Sequence, residues 1–314
     1  MQKKVLFLDS NHPLLHETLI AKGFQCDLFY DKSKAELLKL IPEYHALVIR
    51  SKFRITKEII DTVPLLKCIG RAGAGMENIN VVYAESKGIK CVHAPEGNRD
   101  AVGEHAIGML LSLFNNLNRA DREVRQGHWY REANRGVELK GKTVGIIGYG
   151  NMGAAFAERL KGFSCRVMAY DKYKKGFGNE YVEEVSLKKL KEEADVISLH
   201  IPLTDDTNYL LNKDFIDTCK KNIYLINTAR GKCVNTADLV DAMKSGKIKG
   251  ACLDVLEYEA VSFENIEADK LPEPFQYLVN SDKVILSPHI AGWTYESHEK
   301  IALVLANKIV EALQ

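Results

Sequence analysis

Residues 143–171, "TVGIIGYGNMGAAFAERLKGFSCRVMAYD", constrain the fold more tightly than any other stretch of the chain. A buried-type apolar run, Thr143 to Ile147, leads into Gly148-x-Gly150-x-x-Gly153. A helical pattern, "AAFAERLKGF", follows, and a second apolar run, "CRVMAY", ends at Asp171, 23 positions after Gly148. Alone, a G-x-G-x-x-G string is a weak signal. Between a strand and a helix it has a mechanism: the first glycine permits the tight turn, the second lets backbone approach a pyrophosphate, and the third lets helix and strand pack closely. Asn151 and Met152 lie within that turn. The helix start offers N–H groups and the positive end of its dipole to phosphate. Asp171 is placed to accept from the adenosine ribose hydroxyls and to repel a 2′-phosphate, which favours NAD over NADP. Lys172, Lys174 and Lys175 soften that preference. The bland alternative makes Asp171 a turn residue. The same turn also suits methyltransferases, so it does not decide the chemistry.

The flanking sequence repeats the strand–helix alternation on both sides. "KKVLFLDS", "FQCDLFY", "HALVIRS" and "LKCIGRAG" read as strands of a first unit, separated by helical patterns such as "HPLLHETLIAKG" and "SKAELLKLIP". "ADVISLHIP", "NIYLINTARG", "KGACLDVLEYE" and "KVILSPH" read as later strands of a second. Short apolar runs alternating with helices indicate parallel strands covered on both faces. The expected fold is therefore α/β, with two doubly wound parallel-sheet domains of Rossmann or flavodoxin-like type. "RDAVGEHAIGMLLSLFNNLNRADREVRQG" reads as one long helical stretch, and "YESHEKIALVLANKIVEAL" as a helix crossing back onto the first unit. The outer domain is thus discontinuous, 1–98 plus 292–314, around a central domain, 99–291.

Composition narrows the classes of partner. The 314 residues carry a formal net charge of +1, which gives no reason to expect nucleic acid or an anionic membrane. The apolar run Val5 to Leu8 is too short for a signal peptide core or a membrane span. Seven scattered cysteines include no C-x-x-C pair, so neither a disulfide framework nor a metal site is expected, and a cytoplasmic location follows.

Chemistry-bearing residues cluster at predicted strand ends, where open α/β sheets bind their ligands. Arg230 in "NTARG" offers a planar fork to a carboxylate. Asp254, Glu257 and Glu259 end the next strand in "LDVLEYE", and His289 ends the last in "SPHIAGWT". Each alone is more readily surface decoration or structural; "SPHIAGWT" by itself leaves open whether His289 is an acid/base or a packed residue. The order Arg, Asp, Glu, His along successive strands is much harder to obtain by accident.

In that order the chain resembles the D-isomer-specific 2-hydroxyacid dehydrogenases, in particular their D-3-phosphoglycerate dehydrogenase branch. The resemblance runs through "RAGAGMENIN", "EGNRDAVGEHAIGMLL", "GHWYR", "ELKGKTVGIIGYGNMG", "HIPLTDDTNYLLN", "NTARG", "LDVLEYE" and "SPHIAGWT". It implies an NAD-dependent enzyme interconverting a 2-oxo acid and a D-2-hydroxy acid. Arg230 then binds and polarises the oxo acid, Glu259 rather than Glu257 supports the histidine, and His289 is the acid/base. Ile201 and Pro202 pass along the adenosine, Thr228 and Ala229 line the nicotinamide side, and Asp254 holds the carboxamide. His200 is read as structural or cofactor-side. Backbone N–H groups of Arg50-Ser51-Lys52 and of Arg71 through Gly73, Ala74 and Gly75 hold the substrate carboxylate. Arg50 and Arg71 match residues aimed at a phosphate, with Arg131 and Arg135 as further candidates from a neighbouring subunit of a homodimer. Against a phosphoglycerate substrate stand Glu77, where the family often has Asp, and the thirty positions between Glu259 and His289. The insertion 260–278 is expected to form a loop over the crevice. Hydroxypyruvate/glyoxylate and D-lactate types remain alternatives, as does an NAD-sensing co-repressor. A phosphoglycerate enzyme ending at Gln314 is the short form, without a serine-sensing domain.

Overall fold

The computed structural model describes residues 2–259 and 272–314. The chain divides into two compact units, Met1–Arg99 with Trp293–Gln314, and Asp100–Gly292. In the first, five parallel strands, β1 (Lys4–Phe7), β2 (Gln25–Leu28), β3 (Ala46–Ile49), β4 (Cys68–Arg71) and β5 (Lys90–His93), are ordered β2-β1-β3-β4-β5. The period-2 alternation of a strand decides which side chains meet which helices. Val5 and Phe7 pack with α1 (Pro13–Ala21) and the C-terminal helix α12 (Tyr295–Leu313). Leu6 and Leu8 pack on the opposite face with α2 (Lys34–Leu40), α3 (Lys57–Asp61) and α4 (Val81–Ser86). A reciprocal Thr294–Ser297 capping box starts α12, satisfying two N–H groups that the first turn leaves over.

The second unit holds seven parallel strands: β6 (Thr143–Ile147), β7 (Arg166–Tyr170), β8 (Val182–Glu184), β9 (Val196–Leu199), β10 (Ile223–Asn227), β11 (Ile248–Leu253) and β12 (Val284–Leu286). Their order is β12-β11-β10-β9-β6-β7-β8, so the chain reverses direction across the sheet between β6 and β9. One face is covered by α5 (Pro95–Phe114), through Ala106, Leu110 and Phe114, and by α7 (Asn151–Arg159), through Phe156. The other is covered by α8 (Leu187–Glu193), α9 (Lys213–Thr218), α10 (Thr236–Lys244) and α11 (Glu273–Asn280). No helix among the described residues is long and apolar enough to cross a membrane.

The expected single helix around 99–127 is instead two. Asn116 adopts a left-handed backbone, φ 53°, and separates α5 from α6 (Leu117–Arg125). Asparagine is among the few non-glycine residues that tolerate this conformation, so the Asn115-Asn116 pair ends the first helix. Residues 260–271 of the insertion lie outside those described, and its remainder enters α11, where a loop was expected.

Candidate functional site

The reversal between β6 and β9 is where an open parallel sheet leaves a crevice beyond its strand ends. Gly148 sits there with φ 93°, and a Cβ on it would lie 2.4 Å from the His200 carbonyl oxygen. A Cβ on Gly153 would lie 2.0 Å from the Gly148 carbonyl oxygen, while one on Gly150 would meet nothing within 4 Å. Two glycines are thus required by the turn's own packing, and the third leaves open space above it. No side chain caps α7 at Gly150, so the N–H groups of its first turn, at Asn151, Met152 and Gly153, face an uncapped helix end.

Asp171, at the end of β7, accepts from the Tyr149 N–H (2.8 Å) on one oxygen and from the Tyr173 (2.9 Å) and Lys174 (2.8 Å) N–H groups on the other. Burial pushes its pKa up, but these three N–H groups and the Lys174 charge outweigh that and hold it below the usual carboxylate range. The three lysines expected to offset it are themselves engaged. Lys172 pairs with Asp206 (2.5 Å), Lys174 donates to the Tyr149 carbonyl (3.2 Å) and Lys175 to the Asp171 carbonyl (3.1 Å). Ile201 and Pro202 follow β9, and Thr228 and Ala229 follow β10. The Thr228 hydroxyl is buried without a hydrogen-bond partner among the described residues, and Ala229 N–H is held by the Asn227 side chain (3.0 Å). Open space over Gly150, an uncapped helix start, an ionised Asp171 and the buried Thr228 hydroxyl together fit a dinucleotide.

The half-buried His200 ring packs on Phe156, 5.2 Å between centroids, with its Nε2 2.8 Å from the Ser198 hydroxyl. Burial alone lowers its pKa from 6.5 to about 3, so it is neutral at neutral pH. The unfolded chain therefore binds this proton first, and His200 withdraws stability as pH falls from about 6.5 towards 3. The slope is at most ~1.4 kcal/mol per pH unit for one group. In denaturant titrations between pH 7 and 4, His200→Gln should lose stability less steeply than wild type; parallel curves would refute this.

The strand ends of β10, β11 and β12 bring the other residues together. His289 Nδ1 lies 2.7 Å from Glu259 Oε2, and the other Glu259 oxygen accepts the Leu256 N–H. A carboxylate only accepts, so the shared hydrogen resides on Nδ1, and a proton exchanged by the ring would pass through Nε2. The backbone of His289 is left-handed, φ 56°, and its N–H donates to the Asp254 carbonyl (2.7 Å). Arg230 donates from Nη1 to the Ala229 carbonyl (2.6 Å), and its own carbonyl accepts from buried Asn227 (3.0 Å). At Gly231 a Cβ would sit 1.9 Å from the Leu256 carbonyl oxygen, so the Arg230 turn abuts the Glu259 turn directly.

Asp254 lies at the end of β11 against the loop that follows β12. It is 1% exposed, and its carboxylate accepts from the Ser287 hydroxyl (2.6 Å), Ile290 N–H (2.9 Å) and Ala291 N–H (2.9 Å). It brackets His289 by holding the residues on either side of it. His105 on α5 backs this bracket, with Nε2 2.9 Å from the Ser287 hydroxyl. Glu257 accepts from Tyr209 and from Thr236 N–H and does not reach the histidine pair.

In the first unit, the N–H groups of Arg50, Ser51 and Lys52 all donate to one oxygen of Asp9, at 2.6, 2.9 and 3.1 Å. They were expected to hold a substrate carboxylate; an internal carboxylate holds them instead. The Arg50 guanidinium lies over the Trp293 ring, 5.3 Å from its centroid, and pairs with no carboxylate among the described residues. The Arg71 guanidinium folds over Gly73, whose Cβ position is 1.8 Å from Nη1. Gly73 N–H donates back to the Arg71 carbonyl (2.9 Å), and the Ala74 carbonyl meets His93 Nδ1 (2.5 Å); Gly75 follows in the same loop. Arg131 is exposed, and Arg135 pairs with Glu132 (2.6 Å). Asp9, Asn227, Ser287 and His105 were not singled out from sequence. Only Asp9, directly after an apolar strand, carried a positional hint.

The family model described as D-isomer specific 2-hydroxyacid dehydrogenase, NAD binding domain, matches residues 107–291. A hydroxypyruvate reductase of Thermotoga maritima is 38% identical over 280 residues, which are 89% of this chain and 88% of that protein. A D-3-phosphoglycerate dehydrogenase of Archaeoglobus fulgidus is 36% identical over 293 residues, 92% of this chain and 53% of the relative. The chain thus spans about half the length of that relative. Among solved structures, a D-lactate dehydrogenase of Aquifex aeolicus complexed with NAD and lactic acid superposes with a TM-score of 0.83 at 29% identity, covering 99% of this chain and 95% of that one. The chain belongs to the D-isomer-specific 2-hydroxyacid dehydrogenase family.

Proposed function

We propose that the protein is an NAD-dependent oxidoreductase that interconverts a 2-oxo acid and a D-2-hydroxy acid, and that its hydroxy acid is D-3-phosphoglycerate. The observation that carries the reaction class is the 2.7 Å pairing of His289 with Glu259 beside the Arg230 turn. Bound in its reduced form, the cofactor supplies the hydride. His289 Nε2 gives the proton that completes the new hydroxyl, and takes it back in the reverse direction. Glu259 fixes the imidazole by its Nδ1 edge and so turns Nε2 towards the substrate. Arg230 attracts the negative charge growing on the oxo oxygen.

A phosphorylated substrate is supported by Arg50 and Arg71, two guanidinium groups on neighbouring strand-end loops of the first unit. Phosphate offers more charge and more acceptors than a hydroxyl, and a desolvated arginine contact contributes on the order of 1–3 kcal/mol, or roughly 5- to 150-fold in kcat/KM. The test is steady-state NADH oxidation with 3-phosphohydroxypyruvate, hydroxypyruvate, glyoxylate and pyruvate. 3-Phosphohydroxypyruvate should lead, and Arg71→Ala should remove most of its advantage while sparing hydroxypyruvate. Hydroxypyruvate or pyruvate leading in the wild type would overturn the phosphoglycerate reading and leave the reaction class intact.

Preference for NAD over NADP rests on Asp171. Asp171→Ala should narrow the NADH to NADPH ratio of kcat/KM by about tenfold, the scale of one lost charge repulsion. Because the ratio is internal to each variant, general loosening of the turn cancels. A wild type that prefers NADPH would remove this role.

A homodimer is proposed through the α5–α6 region. Helix α6 buries none of its residues, and Leu117, Val124, Trp129 and Tyr130 on and after it are exposed. Sedimentation as a monomer at micromolar concentration would contradict it. A reducing, cytoplasmic setting is proposed on the seven free cysteines.

A further inference from the structure

We propose that Glu257 is a positioning residue, tying the loop after β9 and the start of α10 to the turn that carries Glu259. This inference rests on the reading of Arg230, Glu259 and His289 as the reacting set. Glu257 accepts the Tyr209 hydroxyl on Oε1 (2.6 Å) and the Thr236 N–H on Oε2 (3.0 Å). Three chain segments therefore meet at one carboxylate. Tyr209 belongs to the loop that also carries Ile201 and Pro202, Thr236 opens the helix six positions after Arg230, and Glu257 stands two positions before Glu259.

The surrounding backbone makes the tie directional. Tyr209 N–H donates to the Lys232 carbonyl (2.7 Å), and Leu211 N–H to the Cys233 carbonyl (3.0 Å), so the cofactor-side loop lies along the segment following Arg230. Gly231 touches Leu256 and Glu257 backbone so closely that no side chain fits between. A shift of Glu257 therefore displaces the Arg230 turn and the Glu259 turn against each other. Tyr209 itself has a left-handed backbone, φ 52°, which a bulky residue adopts only where its surroundings over-determine it. Glycine would suit that backbone; tyrosine supplies the hydroxyl that reaches Glu257. The hydrogen bond to Glu257, with burial, raises the Tyr209 pKa, so the phenol keeps its proton and remains a donor.

The test compares wild type with Tyr209→Phe, Glu257→Gln and the double variant, using hydroxypyruvate and NADH. A glutamine cannot accept at both ends, because its amide nitrogen presents hydrogens to one of the two donors. Each single variant should lower kcat about tenfold, with the KM for NADH changed only a few-fold. The double variant should be no slower than Glu257→Gln, because both changes break one tie. A second readout needs no turnover: the downfield proton resonance of the His289 Nδ1–H, assigned by its loss in His289→Gln, should weaken or move upfield in both single variants. Unchanged kcat and an unchanged resonance, with only a lower Tm, would make Glu257 a purely structural residue and overturn the proposal. Strictly additive effects in the double variant would also overturn it. If the wild type reduces no 2-oxo acid while the resonance still responds, the tie stands and the functional reading fails.

Discussion

His289→Ala should lower kcat by ~100- to ~10,000-fold, the usual worth of a positioned general acid, while leaving NADH affinity nearly unchanged. The asymmetry follows from the layout. The histidine is held by Glu259 and by the Asp254 carbonyl at the ends of β11 and β12, whereas the glycine turn and Asp171 belong to β6 and β7. Fluorescence titration with NADH and single-turnover reduction of the best 2-oxo acid separate the two effects. A near wild-type rate, with chemistry limiting, would return His289 to a packing role. Glu259→Gln is the companion experiment. An amide can turn either its oxygen or its nitrogen towards Nδ1 and no longer fixes the tautomer, so kcat should fall about tenfold while the KM for NADH changes little. An unchanged kcat would leave Glu259 without a part in positioning the imidazole.

Asp254→Ala should cost both stability and turnover. The side chain is 1% exposed and accepts three hydrogen bonds, from Ser287, Ile290 and Ala291. Its removal leaves buried donors without acceptors, an effect of about 2–5 kcal/mol in unfolding free energy. Because Ile290 and Ala291 directly follow His289, the histidine should lose its fixed approach, and kcat should fall by ~100-fold or more. Urea titration and steady-state kinetics on the same preparation measure both. A variant with normal kcat per folded molecule would show that the bracket serves stability alone. Loss of NADH affinity as the dominant effect would instead favour the carboxamide contact implied by the family resemblance.

The parallel strands were legible because each is a short apolar run between helical patterns, and the nucleotide turn because its three glycines sit at fixed offsets between a strand and a helix. The Glu259 and His289 pairing was legible only through the family resemblance, since thirty positions separate them and no local period connects them. Interactions that depend on which strand ends become neighbours were not legible. Asp9 meeting the backbone of residues 50–52, and Asp254 meeting residues 287–291, follow from the sheet order, which a single sequence does not print. The break at Asn116 was readable in principle from the Asn-Asn pair, but the apolar period on either side concealed it. The three-residue edge strand β8 is too short to show alternation.

The small sheet also reverses, between β1 and β3, and there Asp9 accepts the three N–H groups of residues 50–52. The chain thus contains two versions of one architectural opportunity: in the larger sheet the reversal stands open for a visiting phosphate, and in the smaller one the protein carries a permanent plug. Shortening that plug would uncover a ring of aligned amide hydrogens with nothing to receive them. An Asp9→Gly or Asp9→Ala chain is therefore a natural scaffold for chemical rescue, in which formate or acetate restores what the missing side chain supplied.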